Sequence, residues 1–256
     1  MFQVQPRFDF REDWEDLAQK EDLYYEALDF STQPALIEGG LFEEYSGWYG
    51  SNGRTRSIHG FFIDVNPASG DPTFRRLSRD KCEKSCATAV ALGAENVVFH
   101  SSCFPFLRGV YLDVWVRRCA DFYKELVEKY NVRLFIENSQ DVNAEPIKAL
   151  MKEINDSRIR VCLDIGHANY SYIPVKQWFD ELGEWIGYIH LSDNHGTYDD
   201  HIPLGEGTID WDEANKLWRE LDREVFITIE VNGTVAAANA VDFLREHDYF
   251  GINEEA

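Results

Sequence analysis

The feature that most constrains the fold is a repeated order of short β-branched or aromatic runs, polar loops and amphipathic stretches. The clearest predicted strands begin 27 to 39 residues apart, and helical patterns lie between them. These strands are Ser57–Gly60, Asn96–His100, Val132–Glu137, Ile159–Asp164, Ile186–Leu191 and Val225–Glu230. Strands that alternate with helices predict a parallel sheet with right-handed crossovers.

Two further units precede these strands, namely strands at Phe2–Gln5 and Tyr24–Phe30 with helices at Glu12–Lys20 and near Pro34–Tyr45. The later predicted helices are Arg75–Leu92, Val110–Tyr130, Glu145–Ile154, Val175–Leu182, Trp211–Leu221 and Thr234–His247. Eight consecutive strand and helix units favour a closed (β/α)8 TIM barrel over an open doubly wound sheet. No linker or composition change divides the 256 residues, so we predict a single α/β domain over residues 1–256.

Composition limits the partners of the chain. It has 25 Lys and Arg against 46 Asp and Glu, a net charge of −21. Because nucleic-acid binding needs a basic face, we expect no nucleic-acid partner.

The chain has no apolar run near 18 residues and no apolar signal core at its start, so we expect no membrane association and a cytoplasmic location. The five cysteines have no recurrent short spacing, which predicts reduced thiols. The sequence leaves the oligomeric state open, a homo-oligomer included.

Metal-capable side chains stand at or beside the ends of six predicted strands. They are His59, His100, Glu137, Asp164, His190 and Glu230. The carboxyl ends of all strands in a β/α barrel open on one face, so these distant residues are expected to meet there. A single histidine at a strand end is more often a hydrogen-bonded core residue, but six such residues together favour a metal site.

Four of these residues, Glu137, Asp164, His190 and Glu230, form a set of three carboxylates and one imidazole. Such a set suits Zn²⁺ or Mn²⁺, and also Mg²⁺ or Co²⁺. Five further residues could act as donors. Two stand at strand ends, His59 and His100, and three lie in the loops, His167, Asp199 and His201. These five would bind substrate oxygens or hold additional Zn²⁺. The sequence does not decide between one metal ion and several.

The phrases around these residues resemble the xylose isomerase-like barrel superfamily, which groups sugar isomerases and epimerases with endonuclease IV. The resemblance covers nearly the whole chain. It is carried by Ile58-His59-Gly60, Val98-Phe99-His100, Ile136-Glu137-Asn138, Leu163-Asp164-Ile165-Gly166-His167, Ile189-His190-Leu191-Ser192-Asp193 and Thr228-Ile229-Glu230.

The resemblance to sugar epimerases implies one metal ion that chelates neighbouring oxygens of a ketose. It also implies that Glu137 and Glu230 exchange protons with the substrate carbon and that His167 hydrogen-bonds a substrate oxygen. Epimerases of this type usually carry an Arg six residues after the strand-seven histidine, where this chain has Gly196. Apart from this departure, the resemblance implies a metal-dependent isomerase or epimerase that acts on a small sugar or related polyol, and this is the function that we predict.

The alternative is a Zn-dependent phosphodiester hydrolase similar to endonuclease IV, whose nine zinc ligands match the nine residues named above. The charge of the predicted rim argues against it, because residues 186–209 and 226–244 contain no Lys or Arg. The cations expected on the rim are Arg54, Arg56, Arg75, Arg76 and Arg108, too few for a DNA track. The Gly205-Glu206-Gly207 phrase predicts a tight turn and not a phosphate cradle, since Glu206 places an anion in it.

Aromatic side chains are also expected in or near the rim loops. They are Trp48, Tyr49, Phe104, Phe106, Tyr170, Tyr172 and Tyr198. Packing is the more common role for any one of them, but an aromatic rim with little charge suits a neutral polyol better than a phosphate.

Overall fold

Eight parallel strands close into a barrel in sequence order, and β1 completes the closure by pairing with β8. This computed structural model describes residues 1–32 and 40–254. Within these residues the strands are β1 Phe2–Val4, β2 Tyr24–Ala27, β3 Thr55–His59, β4 Asn96–His100, β5 Arg133–Glu137, β6 Ile159–Asp164, β7 Ile186–Leu191 and β8 Phe226–Ile229. The predicted (β/α)8 TIM barrel is confirmed.

Helices surround the barrel, and a 3-10 turn at Phe8–Phe10 leads into the first of them. Those in the described residues are α1 Arg11–Glu21, α2 Asp29–Thr32, α3 Phe42–Ser51, α4 Pro72–Leu92, α5 Val110–Tyr130, α6 Glu145–Ile154, α7 Ile165–Asn169, α8 Val175–Leu182, α9 Trp211–Glu220 and α10 Thr234–His247. None of the helices described is long and apolar enough to span a membrane.

Three strands and four helices have the predicted bounds, and most other elements differ by one or two residues at an end. Strand β2 is an exception, because it ends at Ala27 and the chain then turns into α2, where Ser31 Oγ donates to Leu28 O at 2.7 Å. Helix α4 begins before Arg75, since the Asp71 carboxylate accepts the first free N–H groups at 2.8 Å and a proline follows it.

The predicted helix near Pro34–Tyr45 lies partly outside the described residues, because the structure does not describe residues 33–39. The described part of this region shows that Phe42–Ser51 is helical. The end of the predicted helix therefore overlaps the start of α3.

Two layers of side chains fill the barrel interior, because residues two apart on a strand share a face. The lower layer is a buried apolar cluster of Val98, Phe135, Cys162 and Tyr188, against which Phe226 packs. Two residues further along β4 to β7 stand His100, Glu137, Asp164 and His190. The strand alternation thus carries metal-capable side chains to the carboxyl-end mouth and keeps apolar ones below.

The larger core lies between the strands and the helices and contains most of the buried aliphatic and aromatic side chains. All five cysteines are free thiols and all are buried, in agreement with the predicted absence of disulfides. Cys82 and Cys86, four residues apart on α4, belong to this core. They therefore contribute to packing, as their helical spacing suggests.

Candidate metal centre

All nine predicted site residues meet at the mouth of the barrel, where they form three groups. Within each group the candidate ligand atoms lie within 4.8 Å of one another. The central group is Glu137, Asp164, His190 and Glu230; the strand group is His59, His100 and Glu137; the rim group is His167, Asp199 and His201. Glu137 belongs to two groups, so its carboxylate joins the central group to the strand group.

The central group is arranged around Nδ1 of His190. This nitrogen lies 2.8 Å from Glu230 Oε2, 3.1 Å from Glu137 Oε1 and 3.9 Å from Asp164 Oδ2. Asp164 Oδ2 is buried and has no hydrogen-bond partner, and the nearest donors to Glu137 Oε2 and Glu230 Oε2 are imidazole nitrogens of the site. Burying carboxylate oxygens without a partner is costly, and coordination to a cation would satisfy them. Three carboxylates and one imidazole therefore fit a divalent metal ion.

The imidazoles are oriented as metal ligands usually are. In His59, His167 and His201, Nδ1 lies 2.7 to 3.0 Å from a main-chain carbonyl oxygen. Because a carbonyl can only accept, each Nδ1 carries a proton, and Nε2 is the nitrogen left to face the other donor groups. The Nε2 of His59 faces Glu137 Oε2 at 3.3 Å, and that of His201 faces Asp199 Oδ2 at 3.0 Å. Donation of the second N–H to a carbonyl is the common way in which proteins fix a ligating histidine.

Asp193 holds the loop that brings Asp199 and His201 to the mouth. Its main chain forms an antiparallel bridge with Ile202, and its Oδ2 accepts from Gly205 N and Trp211 Nε1 at 3.0 Å each. A Cβ on Gly207 would lie 2.1 Å from Asp193 Oδ1, so only glycine fits there. The Gly205–Gly207 segment is thus a tight turn around a carboxylate, as predicted.

The site buries several carboxylates and imidazoles close together, and their pKa values are shifted as a result. Burial, with repulsion from Glu137 and Glu230, raises the pKa of Asp164 to about 7. Burial also opposes ionisation of Glu230, but the adjacent His190 lowers the pKa of that carboxyl to about 2. Burial lowers the pKa of His100 to about 4. Buried carboxylates that compete for a few imidazoles would be stabilised by a cation.

Glu26 is a fully buried residue of the site that sequence reasoning missed. Its Oε2 accepts from Tyr188 Oη at 2.6 Å and Thr228 Oγ1 at 2.7 Å, and lies 3.1 Å from His190 Nε2. Although burial alone would raise the pKa of Glu26, His190 lowers it, so the carboxylate is charged. Its contact with Nε2 leaves Nδ1 of His190 free to face the central group. A lone acid in the apolar run of β2 was the signal available in the sequence.

The donor groups open on a cavity of about 430 Å³, a size typical of small-molecule sites. Six of the nine donor residues line it: His59, His100, His167, Asp199, His201 and Glu230. The side chain of Glu230 is 12 % exposed, whereas that of Glu137 is 1 % exposed and lies beneath the cavity. The two glutamates therefore differ in their access to a ligand in the cavity.

The cations at the mouth differ from those expected. Arg54 and Arg56 stand at the start of β3, and Arg54 Nη1 donates to Leu23 O just before β2. Their predicted rim position is wrong, because residues that start a strand lie at the opposite end of the barrel. Arg7, which follows β1, lines the cavity instead, but its Nε lies 3.2 Å from Asp29 Oδ1 and its charge is already paired.

Six of the seven aromatic residues predicted at the rim divide into two classes, and Tyr170 is half-buried. Four of them are 63 to 75 % exposed, as predicted: Phe104, Phe106, Tyr172 and Tyr198. The prediction is wrong for Trp48 and Tyr49, which belong to α3. Tyr49 is fully buried and its hydroxyl donates to Pro6 O at 2.8 Å, because this helix packs its aromatic face against the barrel.

The sequence from residue 10 to residue 247 matches the family described as the xylose isomerase-like TIM barrel. The chain belongs to this family. The resemblance carried by the strand-end motifs is therefore confirmed. Among curated proteins, the chain is 27 % identical over 201 residues to the uncharacterized protein MJ1311 of Methanocaldococcus jannaschii, a match that covers 74 % of this chain and 69 % of that protein.

Two solved structures are similar to this chain over nearly its whole length. One is described as a D-tagatose 3-epimerase-like protein, with a TM-score of 0.77 and 21 % identity, covering 99 % of this chain and 98 % of that one. Another is the IOLI protein with a binding zinc atom, with a TM-score of 0.75 and 15 % identity, covering 98 % and 99 %. At these identities the similarity shows the shared fold.

Proposed function

We propose that this chain is a metal-dependent isomerase or epimerase of a small sugar or related polyol. The observation that carries the proposal is the central group beneath a cavity of about 430 Å³. Of the described residues that line this cavity, Arg7 is the only Lys or Arg, and Asp29 already pairs with it. A cavity of this size without a free cation suits a small uncharged substrate better than a phosphate.

In this proposal Glu137, Asp164, His190 and Glu230 hold the metal ion, with Zn²⁺ or Mn²⁺ the preferred ions. When bound, the ion would act as a Lewis acid that polarises a substrate carbonyl and stabilises negative charge on its oxygen. Glu230 reaches the cavity and takes a proton from the carbon next to that carbonyl. Glu137 returns a proton from the other side, and His59, His100, His167, Asp199 and His201 bind substrate hydroxyls.

Exchange of the substrate's α-proton with solvent tests this proposal. Ketoses would be incubated in deuterated water with the Mn²⁺- or Zn²⁺-loaded protein, and loss of the proton signal followed by NMR. We expect Glu230→Gln and Glu137→Gln each to slow exchange by about 10² to 10⁴-fold, the usual contribution of a positioned acid or base. The control is Glu206→Gln, which changes an exposed glutamate of the rim. Full exchange in the Glu230→Gln protein would remove the assignment.

A second candidate, a Zn-dependent phosphodiester hydrolase, is favoured by one observation. The nine donor residues form three groups, and the enclosed Glu137 is shared between two of them, as a bridging ligand of several ions would be. Three ions of this kind would activate water for hydrolysis.

Counting metal ions separates the two candidates. Elemental analysis that gives one ion per chain, unchanged in Asp199→Asn, supports the isomerase. Three zinc ions per chain that fall to two in Asp199→Asn, together with cleavage of an abasic duplex, would establish the hydrolase instead.

A further inference from the structure

A second cavity of about 270 Å³ adjoins the first at the mouth of the barrel. It lies among the loops that follow β3, β4 and β5. Phe62 and His100 line both cavities, and their ring centroids are 4.9 Å apart. A ligand in the first cavity therefore has the second one immediately beyond this pair of rings.

The lining of the second cavity combines aromatic rings with polar groups, most of them uncharged, and with the carboxylate of Asp64. Phe62, Phe74 and Phe104 supply the rings, and Ser139 and Gln140 supply hydroxyl and amide groups. Phe104 is 69 % exposed and Phe74 is 40 % exposed, so both present apolar surface to an incoming ligand. Among the described residues that line it there is no Lys or Arg. Rings for stacking and neutral hydrogen-bonding groups are what a sugar ring requires.

The loops around this cavity are held in place before any ligand binds. Ser101 Oγ donates to the buried Asp141 at 2.6 Å and accepts from Cys103 N at 3.2 Å. Asp64 and Ser102 both have left-handed backbone conformations, with φ of +54° and +52°. Such conformations persist where surrounding contacts impose them, often at ligand-binding loops. The second cavity is thus preformed, which lowers the entropy lost on binding.

We propose that the second cavity is a sugar subsite, so that the substrate is a glycoside with two rings. One ring lies over the central group, and the second lies beyond Phe62 and His100 against Phe104. The identity of the reacting ring rests on the proposed function, whereas the subsite itself rests on the chemistry of the second cavity.

Calorimetry with defined sugars tests the subsite. The zinc-loaded protein would be titrated with D-fructose and with five glucosyl-fructoses: trehalulose, turanose, maltulose, leucrose and isomaltulose. These present the same ketose with glucose attached at different hydroxyls. We expect at least one disaccharide to bind about tenfold more tightly than fructose, since a stacked ring contributes up to about that factor.

The Gln140→Trp variant should fill the second cavity from its exposed edge. We expect it to remove the disaccharide advantage and to leave fructose binding unchanged. Gln19→Trp, an identical substitution on the exposed face of α1, is the matched control. If no disaccharide has the advantage, or if the advantage survives Gln140→Trp, the subsite proposal is wrong.

The binding measurement is independent of turnover, so it separates this proposal from the proposed function. A disaccharide advantage without solvent exchange in any sugar would keep the subsite and overturn the isomerase. Exchange in fructose without a disaccharide advantage would keep the isomerase and overturn the subsite.

Discussion

The two inward layers of the barrel lie on the same strands two residues apart, yet they differ in how their groups are satisfied. In the lower layer, the ring of Phe135 lies 5.0 Å from that of Tyr188 and 6.0 Å from that of Phe226. In the upper layer, a buried oxygen of Asp164 has no hydrogen bond, and the buried carboxylate of Glu137 contacts only imidazole nitrogens. The lower layer therefore stabilises the barrel by packing, whereas the upper layer buries charged groups that a bound cation would stabilise. The packing of the lower layer and the donor set of the upper layer should therefore respond separately to mutation.

The largest expected effect on stability comes from removing a ring of the lower layer. Phe135→Ala should lower the free energy of unfolding by about 3 to 5 kcal/mol, because it leaves a cavity among Tyr188, Phe226 and their neighbours. The number of zinc ions bound per folded chain should not change, since no donor is touched. Urea unfolding and elemental analysis would measure the two quantities.

The matched control for this variant is Phe106→Ala, which removes a ring that is 63 % exposed. It should change the free energy of unfolding by no more than about 0.5 kcal/mol. Loss of zinc from folded Phe135→Ala protein would show that the two layers are coupled, and would contradict the separation.

Asp141 tests whether burial alone destabilises a carboxylate near the mouth. It lies outside the donor groups, and burial raises its pKa to about 6 despite the hydrogen bond from Ser101. Between about 3.9, the value for an unfolded chain, and about 6, the folded state binds more protons. Its contribution to stability is therefore present below about pH 4 and is lost as pH rises through 6. The shift corresponds to about 3 kcal/mol.

Asp141→Asn should remove this pH dependence. We expect its free energy of unfolding, relative to the wild type, to increase by about 3 kcal/mol between pH 4 and pH 7.5, as measured by urea unfolding at several pH values. Asp121→Asn, at an exposed position of α5, should show no such trend. A constant difference between Asp141→Asn and the wild type would mean that Asp141 is ionised without cost in the folded state.

The separation of layers also explains which parts of the molecule could be predicted from sequence. The sequence predicts the bounds of Asn96–His100 to the residue, because an apolar run there ends at a polar donor. That same ending places His100 two residues beyond Val98, on one face, so convergence of the donors follows from strand period and barrel closure alone. The roles of these donors remain predictions.

What could not be predicted depends on distances between strands. Glu26 is a single acid in a four-residue strand, and only closure of the barrel places it beside His190. Arg7 is also placed by a contact between elements, since its pairing with Asp29 connects the segment after β1 to the start of α2. The enclosure of Glu137 beneath the cavity also depends on packing, and no spacing in the sequence reveals it. Periodicity gives the layer in which a residue lies, but not its neighbours around the barrel.

The smallest expected effect concerns the junction of the two layers, where Glu26 contacts Tyr188 below and His190 above. Glu26→Gln should weaken zinc binding by about 10 to 100-fold, the usual cost of losing a partner that orients a ligating histidine. The amide would also place a donor among Tyr188, Thr228 and Gln5, where the carboxylate accepted. A competing chelator would measure the affinity.

Glu21→Gln is the control, since Glu21 is buried on α1 and pairs with Arg245 far from the donors. It should cost stability and leave zinc affinity unchanged. Wild-type affinity in Glu26→Gln would show that His190 is oriented by the upper layer alone.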